Sequence, residues 1–305
     1  MKAIVIHEYG GLEVLRYEDF PDPVPGEGEL LVRVTATSIN PIDIQRRSGA
    51  ATDIFPIRFP GVIGVDLSGT VSALGPGAKG FSIGDRVFGV ADKTYAELCV
   101  VKTANVAKIP EELDAVEAAA LPLVTTTGNQ LITVGTGIQS GQTVLVTGAA
   151  GNVGRSAVFT AKEKGAKVIA GVLRRQVEEA AALGTDYVVA TDEEKTMANM
   201  PPLDAVADTL NGATAEKMLS KVKKGGVFAS VLGAPQNAKD YPDVKVVPVY
   251  AQPDTKVLVH MAQAAREGKL VIPIGMKFPL QDAAKGHAAV AKGGAGKVLL
   301  VVDPK

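Results

Sequence analysis

The chain is poor in the residues that would point to several common functions. Among its 305 residues there is one cysteine, Cys99, so no internal disulfide can form. Its three histidines, His7, His260 and His287, stand far apart and lack the spacing of metal ligands. An excess of either charge is missing too, with 32 Lys and Arg against 33 Asp and Glu. No overall field therefore draws the chain to nucleic acid or to an anionic membrane. No apolar run approaches the roughly 20 residues that span a bilayer. The opening MKAIVIHEYGG turns polar after a short apolar run, too short for a signal-peptide core, and a cytoplasmic location is expected.

What is present is ordinary soluble composition, 46% hydrophobic and 21% charged, in a chain long enough for about two domains. Up to about residue 110, β-branched segments such as ELLVRVTATSI and DRVFGV lie between turn signals such as PDPVPGEGE and SIGDRV. That pattern reads mainly as β. From EELDAVEAAALP, expected to be helical, the pattern changes. Strands expected at 143–147, 167–172, 187–189, 203–207 and 226–232 alternate with helices expected at 153–164, 176–183 and 213–222. Such alternation predicts βαβ units and a parallel sheet. Two helices, DTKVLVHMAQAAREGK and LQDAAKGHAAVAK, and a last strand GKVLLVVD close the chain.

The segment VLVTGAAGNVGRSA carries the first chemical signal. A phosphate cradle needs glycine where the backbone turns tightly or approaches its ligand, and a helix N-terminus facing the negative charge. Against the dinucleotide fingerprint G-x-G-x-x-G, this segment supplies Ala149, Gly151 and Gly154, with Gly148 next door. Asn152 and Val153 complete the corner. Such a match is weak alone, since glycine corners also serve packing, but here a strand precedes it, a helix follows, and a second strand comes on schedule.

The end of that second strand bears on which dinucleotide binds. NAD-selective folds place Asp or Glu there for the ribose 2′-hydroxyl. This chain reads KVIAGVLRRQ, with Arg174 and Arg175 and no acid. A guanidinium pairs with a 2′-phosphate that a carboxylate would repel, so NADPH is expected. The opposing reading makes both arginines solvated residues at a helix start.

Together SINPIDIQRRSG, FPGVIGVDLSGTV, GFSIGDRVFG, TYAELCV, AALPLVTTTGNQL, AAGNVG, LGTDYVV and GKVLLVVD resemble the zinc-independent medium-chain dehydrogenase/reductases, in the zeta-crystallin-like quinone oxidoreductase branch. The resemblance covers nearly the whole chain. It implies an α/β protein with a GroES-like β-rich catalytic domain, residues 1–121 and 252–305, and a Rossmann NADP-binding domain, residues 122–251. It also implies a cleft between them for the active site, and a homodimer paired through edge strands near VKVVPVY.

In zinc-dependent relatives the matching positions hold metal ligands. Here they are Asn40, Val65 and Leu123. Valine and leucine offer a metal no lone pair, so no zinc is expected. Without a Lewis acid, the chemistry expected is hydride transfer to quinones or α,β-unsaturated carbonyls, whose developing charge spreads onto oxygen. The resemblance implies catalytic roles for Asn40, Asp43 and Thr127, with Asp66 lining the same cleft; the opposing reading makes Asp43 and Asp66 caps that stabilise their loops. It implies cofactor contacts for Tyr187, Gly233 and Lys297; the opposing reading makes Tyr187 a partly buried strand tyrosine.

One departure concerns the proton. Where many relatives carry a tyrosine after the NP loop, this chain has RRSGAATDIF. Tyr95, placed in a strand with a structural role, is a poor substitute, so solvent is the expected proton source. Two other readings stay open, an enoyl-thioester reductase of the same fold and a non-catalytic NADPH-binding redox sensor.

Overall fold

The polypeptide is described by a computed structural model covering residues 1–198 and 200–302. Its contacts divide into two units, Met1–Leu123 with Pro253–Lys305, and Val124–Gln252.

The first unit begins with β1 (Lys2–Ile6), β2 (Arg16–Asp19), β3 (Glu29–Ile39), helix α1 (Pro41–Ser48) and β4 (Gly61–Val62). Strands β5 (Asp66–Leu74), β6 (Arg86–Val90), β7 (Leu98–Lys102) and β8 (Val106–Lys108) follow, then the short helix α2 (Ala115–Ala118). The expected twelve-residue helix is thus a single turn. The Asp114 carboxylate caps it by accepting from the Val116 and Glu117 amides, which fixes its start. Pro122, which opens the next helix, favours a break before it.

The second unit begins at the third residue of α3 (Pro122–Gln130) and contains β9 (Thr143–Thr147), α4 (Asn152–Glu163), β10 (Lys167–Val172) and α5 (Val177–Ala181). It continues through β11 (Tyr187–Ala190), α6 (Glu194–Ala198), β12 (Leu203–Asp208), α7 (Gly212–Leu219), β13 (Val222–Ser230) and β14 (Lys245–Pro248). Its six strands are all parallel, in the order β11-β10-β9-β12-β13-β14. Counted from β9 this is the 3-2-1-4-5-6 order of a Rossmann sheet. Both faces are covered, which is why β9 and β10 read as continuous apolar runs. Val144 and Val146 join one core with Ala157, Val158 and Ala161 of α4, while Leu145 joins the other with Val206, Met218 and Phe228.

The chain then returns to the first unit with α8 (Thr255–Arg266), β15 (Ile274–Pro279), α9 (Ala283–Lys292) and β16 (Lys297–Val301). There a seven-stranded sheet runs β15-β16-β3-β5-β6-β8, with β7 also on β3, beside a three-stranded sheet β2-β1-β4. Strand β16 lies antiparallel to β3 with Val298 opposite Ile39. That register sets Lys297, first residue of β16, beside Asn40, the residue after β3. Among the described residues no helix is long and apolar enough to cross a membrane.

Candidate active site

At the carboxyl end of β9 the glycine corner takes the shape a phosphate cradle needs. Gly148 has φ +61°, a conformation that favours glycine, so it and not position 149 makes the tight turn. Ala149 is fully buried and its amide donates to the Gly171 carbonyl. A Cβ on Gly154 would lie 2.1 Å from the Gly148 carbonyl oxygen, so glycine there lets α4 close onto the turn. The N-cap, Gly151, has no side chain to cap the helix, and the first backbone amide given to an intrahelical partner is that of Arg155, bonded to the Gly151 oxygen. The amides of Asn152, Val153 and Gly154 are therefore left for an anion at the positive end of a twelve-residue helix. Arg155 braces the corner from behind. Its Nε donates to the Ala150 carbonyl at 2.9 Å and its Nη2 to the Glu179 carboxylate.

The strand ends around this corner are tied together. Asp208, buried at the end of β12, accepts from the Thr147 hydroxyl on β9 (2.7 Å) and the Ser230 hydroxyl on β13 (2.8 Å). It also accepts from the amides of Leu210 and Asn211. The sequence patterns gave no sign of this acid, which fixes the switch-point edge where ligands of such sheets bind. Gly233, three residues past β13, has φ +91° and open space where a Cβ would stand.

Arg174 and Arg175 are exposed just beyond β10. Arg174 is engaged, its Nε 3.6 Å from Glu193 and its amide bonded to Asp192. Arg175 has no hydrogen-bond or ion-pair partner among the described residues. Tyr187 is exposed and begins β11, opposite Ile169, three residues before the strand's carboxyl end.

On α3, Thr127 is half-buried, whereas the neighbouring Thr126 hydroxyl is buried without a hydrogen-bond partner among the described residues. Three consecutive threonines gave the sequence no means of telling them apart.

In the first unit the predicted polar residues form a buried cluster. Lys297 Nζ lies 2.5 Å from Asn40 Oδ1 and 3.3 Å from Asp66 Oδ2. Asn40 Nδ2 donates to the same Asp66 oxygen at 2.8 Å, and the Ser38 hydroxyl donates to it as well. The Leu123 amide donates to Asp66 Oδ1 at 2.7 Å. Lys297, expected at the cofactor, thus turns its ammonium to Asn40 and Asp66 inside the unit. Burial lowers its pKa, while Asp66 and Asp43 oppose that shift. Asp43, the third residue of α1, accepts the Asn40 amide at 2.8 Å and closes half of a capping box. Burial pushes its carboxyl up to about 7, with Asp66 adding to the rise and the Asn40 hydrogen bond opposing it. Tyr95, expected in a strand, lies in the irregular segment before β7, and its hydroxyl donates to Asp43.

These residues do not fit a zinc ion. Val65 and Leu123 offer no donor atom, and the Leu123 amide itself points a hydrogen at Asp66. Both oxygens of Asp66 are already accepting hydrogen bonds, one of them from an ammonium that would repel a dication. Among the described residues no group of three or more His, Cys, Asp or Glu side chains is placed to hold a metal.

A β-rich unit completed by the chain's last strands, together with a Rossmann sheet, is the architecture of a medium-chain dehydrogenase/reductase. Residues 26–111 match the alcohol dehydrogenase GroES-like domain, and residues 183–300 match the zinc-binding dehydrogenase family. The chain is 31% identical to the chloroplast envelope quinone oxidoreductase homolog of Arabidopsis thaliana, over 100% of this chain and 98% of that protein. It is also 31% identical to the chloroplastic NADPH-dependent alkenal/one oxidoreductase of Arabidopsis thaliana, over 77% of this chain and 63% of that one. The solved quinone oxidoreductase of Coxiella burnetii superposes with a TM-score of 0.89 at 28% identity, over 99% of each chain. The chain belongs to the quinone oxidoreductase family of medium-chain dehydrogenase/reductases and is a nicotinamide-dependent oxidoreductase.

Proposed function

We propose that this chain reduces quinones or α,β-unsaturated carbonyls with NADPH and without a metal. The observation that carries the reading is the amide-lined corner at Gly148–Gly154, on the switch-point edge of a parallel sheet. When bound, NADPH supplies a hydride from its nicotinamide ring. The chain's own work is to bind, orient and stabilise charge.

The amides of Asn152, Val153 and Gly154 take the pyrophosphate. Arg175, free of protein partners among the described residues, takes the 2′-phosphate, while Arg174 is held by Glu193. Gly233 leaves backbone open at the end of β13. Thr127 would supply a hydroxyl to the cofactor, and Asn40, fixed by Lys297, Asp66 and Asp43, would orient the acceptor. Negative charge arriving on a conjugated acceptor spreads to its oxygen, so hydrogen-bond donors serve where a simple ketone would need a Lewis acid. Solvent supplies the proton. The names of the quinone and alkenal/one oxidoreductases above support both the acceptor class and the cofactor.

Loss of reduced-nicotinamide absorbance with 1,4-benzoquinone and with methyl vinyl ketone tests the reading. Turnover with NADPH at least tenfold above NADH in kcat/KM is expected. NADPH that binds but is oxidised by neither acceptor would favour a redox sensor.

A further inference from the structure

Behind α1, three segments far apart in the chain meet in a row of buried side chains. Arg47 Nη1, in the last turn of α1, lies 3.3 Å from His287 Nδ1 on α9. His287 Nε2 lies 3.2 Å from the Tyr95 hydroxyl, which lies 3.2 Å from Asp43 Oδ2. That same carboxylate oxygen accepts the Asn40 amide. The Tyr95 and His287 rings meet edge to face, at 89°. Gly64 makes room for the Tyr95 ring, because a Cβ there would lie 2.3 Å from it.

The chemistry of the groups allows one direction only. A guanidinium has no acceptor, so Nδ1 of His287 must accept. A neutral imidazole then carries its hydrogen on Nε2 and donates to Tyr95, whose own hydrogen is left for Asp43. A proton could leave through this row only if His287 became an imidazolium. Burial, with the Arg47 charge adding to it, holds that group down at about 3. The row transmits orientation and leaves protons where they are.

We infer that Arg47, His287 and Tyr95 form a one-way hydrogen-bond chain that holds Asp43, and through Asp43 the backbone of Asn40, so that Tyr95 and His287 are positioning residues of the reaction. This rests on the reading of Asn40 as part of the active centre. Asp43 faces Arg46 on its own helix, Asp66 on β5, Tyr95 in the segment before β7 and Lys297 on β16. Lys297 is already bonded to Asp66, and the other oxygen of Asp43, Oδ1, is buried with no hydrogen-bond partner among the described residues. The carboxylate therefore depends on its two donors at Oδ2, the Asn40 amide and Tyr95.

The test uses the full chain and NADPH with 1,4-benzoquinone across about pH 5 to 9. Tyr95→Phe and His287→Leu are expected to lower kcat about five- to tenfold, the worth of one lost hydrogen bond. They also move the neutral-range ionisation of the pH profile upward, because Asp43 loses a donor to its charged form. His287→Gln keeps an acceptor for Arg47 and a donor for Tyr95, and restores most of kcat. Independently of turnover, nitrogen NMR of the wild-type protein should show His287 as the neutral Nε2–H tautomer throughout this range. Unchanged kcat and pH profile in Tyr95→Phe, or a His287 signal that titrates near the free value, about 6.5, would overturn the inference. If the wild type turns over neither acceptor, the functional reading falls, and the His287 signals still decide whether the chain exists.

Discussion

Lys297 Nζ sits 2.5 Å from Asn40 Oδ1, although 257 residues separate them. The contact follows from the antiparallel register of β16 on β3, and it puts an ammonium beside the Asp66 carboxylate, both nearly inaccessible to water. Removing one partner of a buried ion pair leaves the other uncompensated, at about 3–5 kcal/mol. Lys297→Met should lose that much stability in urea denaturation. Adding Asp66→Asn should return a large part of it, because the stranded charge is gone. A double variant as unstable as Lys297→Met alone would contradict the stranded charge as the cause of the loss.

The glycine corner predicts a graded series. Gly154→Ala puts a Cβ against backbone on two sides, the Gly148 oxygen at 2.1 Å and the Ala149 Cα at 2.8 Å, with no flexible side chain to yield. NADPH affinity measured by calorimetry should fall at least tenfold, about 1.4 kcal/mol. The nearest atom to a Cβ on Gly151 is the Gly148 oxygen, at 3.1 Å. Gly151→Ala should therefore perturb folding less than Gly154→Ala, as read from their thermal midpoints.

Cofactor choice divides the two arginines. Arg175→Ala should lower kcat/KM for NADPH about tenfold or more, the worth of a charge-assisted hydrogen bond, and leave NADH unchanged. Arg174→Ala should cost less, because that guanidinium already pairs with Glu193. Equal kinetics of wild type and Arg175→Ala with both cofactors would remove the assignment.

Two buried groups pull stability in opposite directions with pH. Asp43 holds its proton up to about 7 when folded, against 3.8 for the free group. The folded state then binds more protons between those values, and this contribution is lost as pH rises toward 7. His287 behaves the other way, with about 3 folded against 6.5 free, so its contribution is lost as pH falls. Between about pH 4 and 6.5 the two slopes, each about 1.4 kcal/mol per pH unit, nearly cancel. Asp43→Asn should uncover a stability that rises with pH across this window, and His287→Gln one that falls. Chemical denaturation at several pH values reads both; parallel curves for wild type and variants would contradict the opposed pair.

Much of the second unit was legible because its signals are local. Expected and observed bounds coincide for β9 and β10: the apolar run of β9 ends at Gly148, and that of β10 gives way to Arg174 and Arg175. At that corner the positive φ belongs to Gly148, while Ala149 is buried and donates its amide to the Gly171 carbonyl. Strand β15 escaped notice because IGMKFP, with a glycine and a terminal proline, reads as loop until β16 pairs with it. The buried row Arg47–His287–Tyr95 was also hidden. Each residue looks ordinary in its own segment, and only tertiary packing brings α1, α9 and the stretch before β7 together.

Metal-free turnover is tested most directly by extracting metals. After exhaustive chelation and dialysis, the protein should oxidise NADPH with 1,4-benzoquinone at the same rate per molecule as before, and added zinc should not raise it. A rate lost on chelation and regained with stoichiometric zinc would contradict the mechanism.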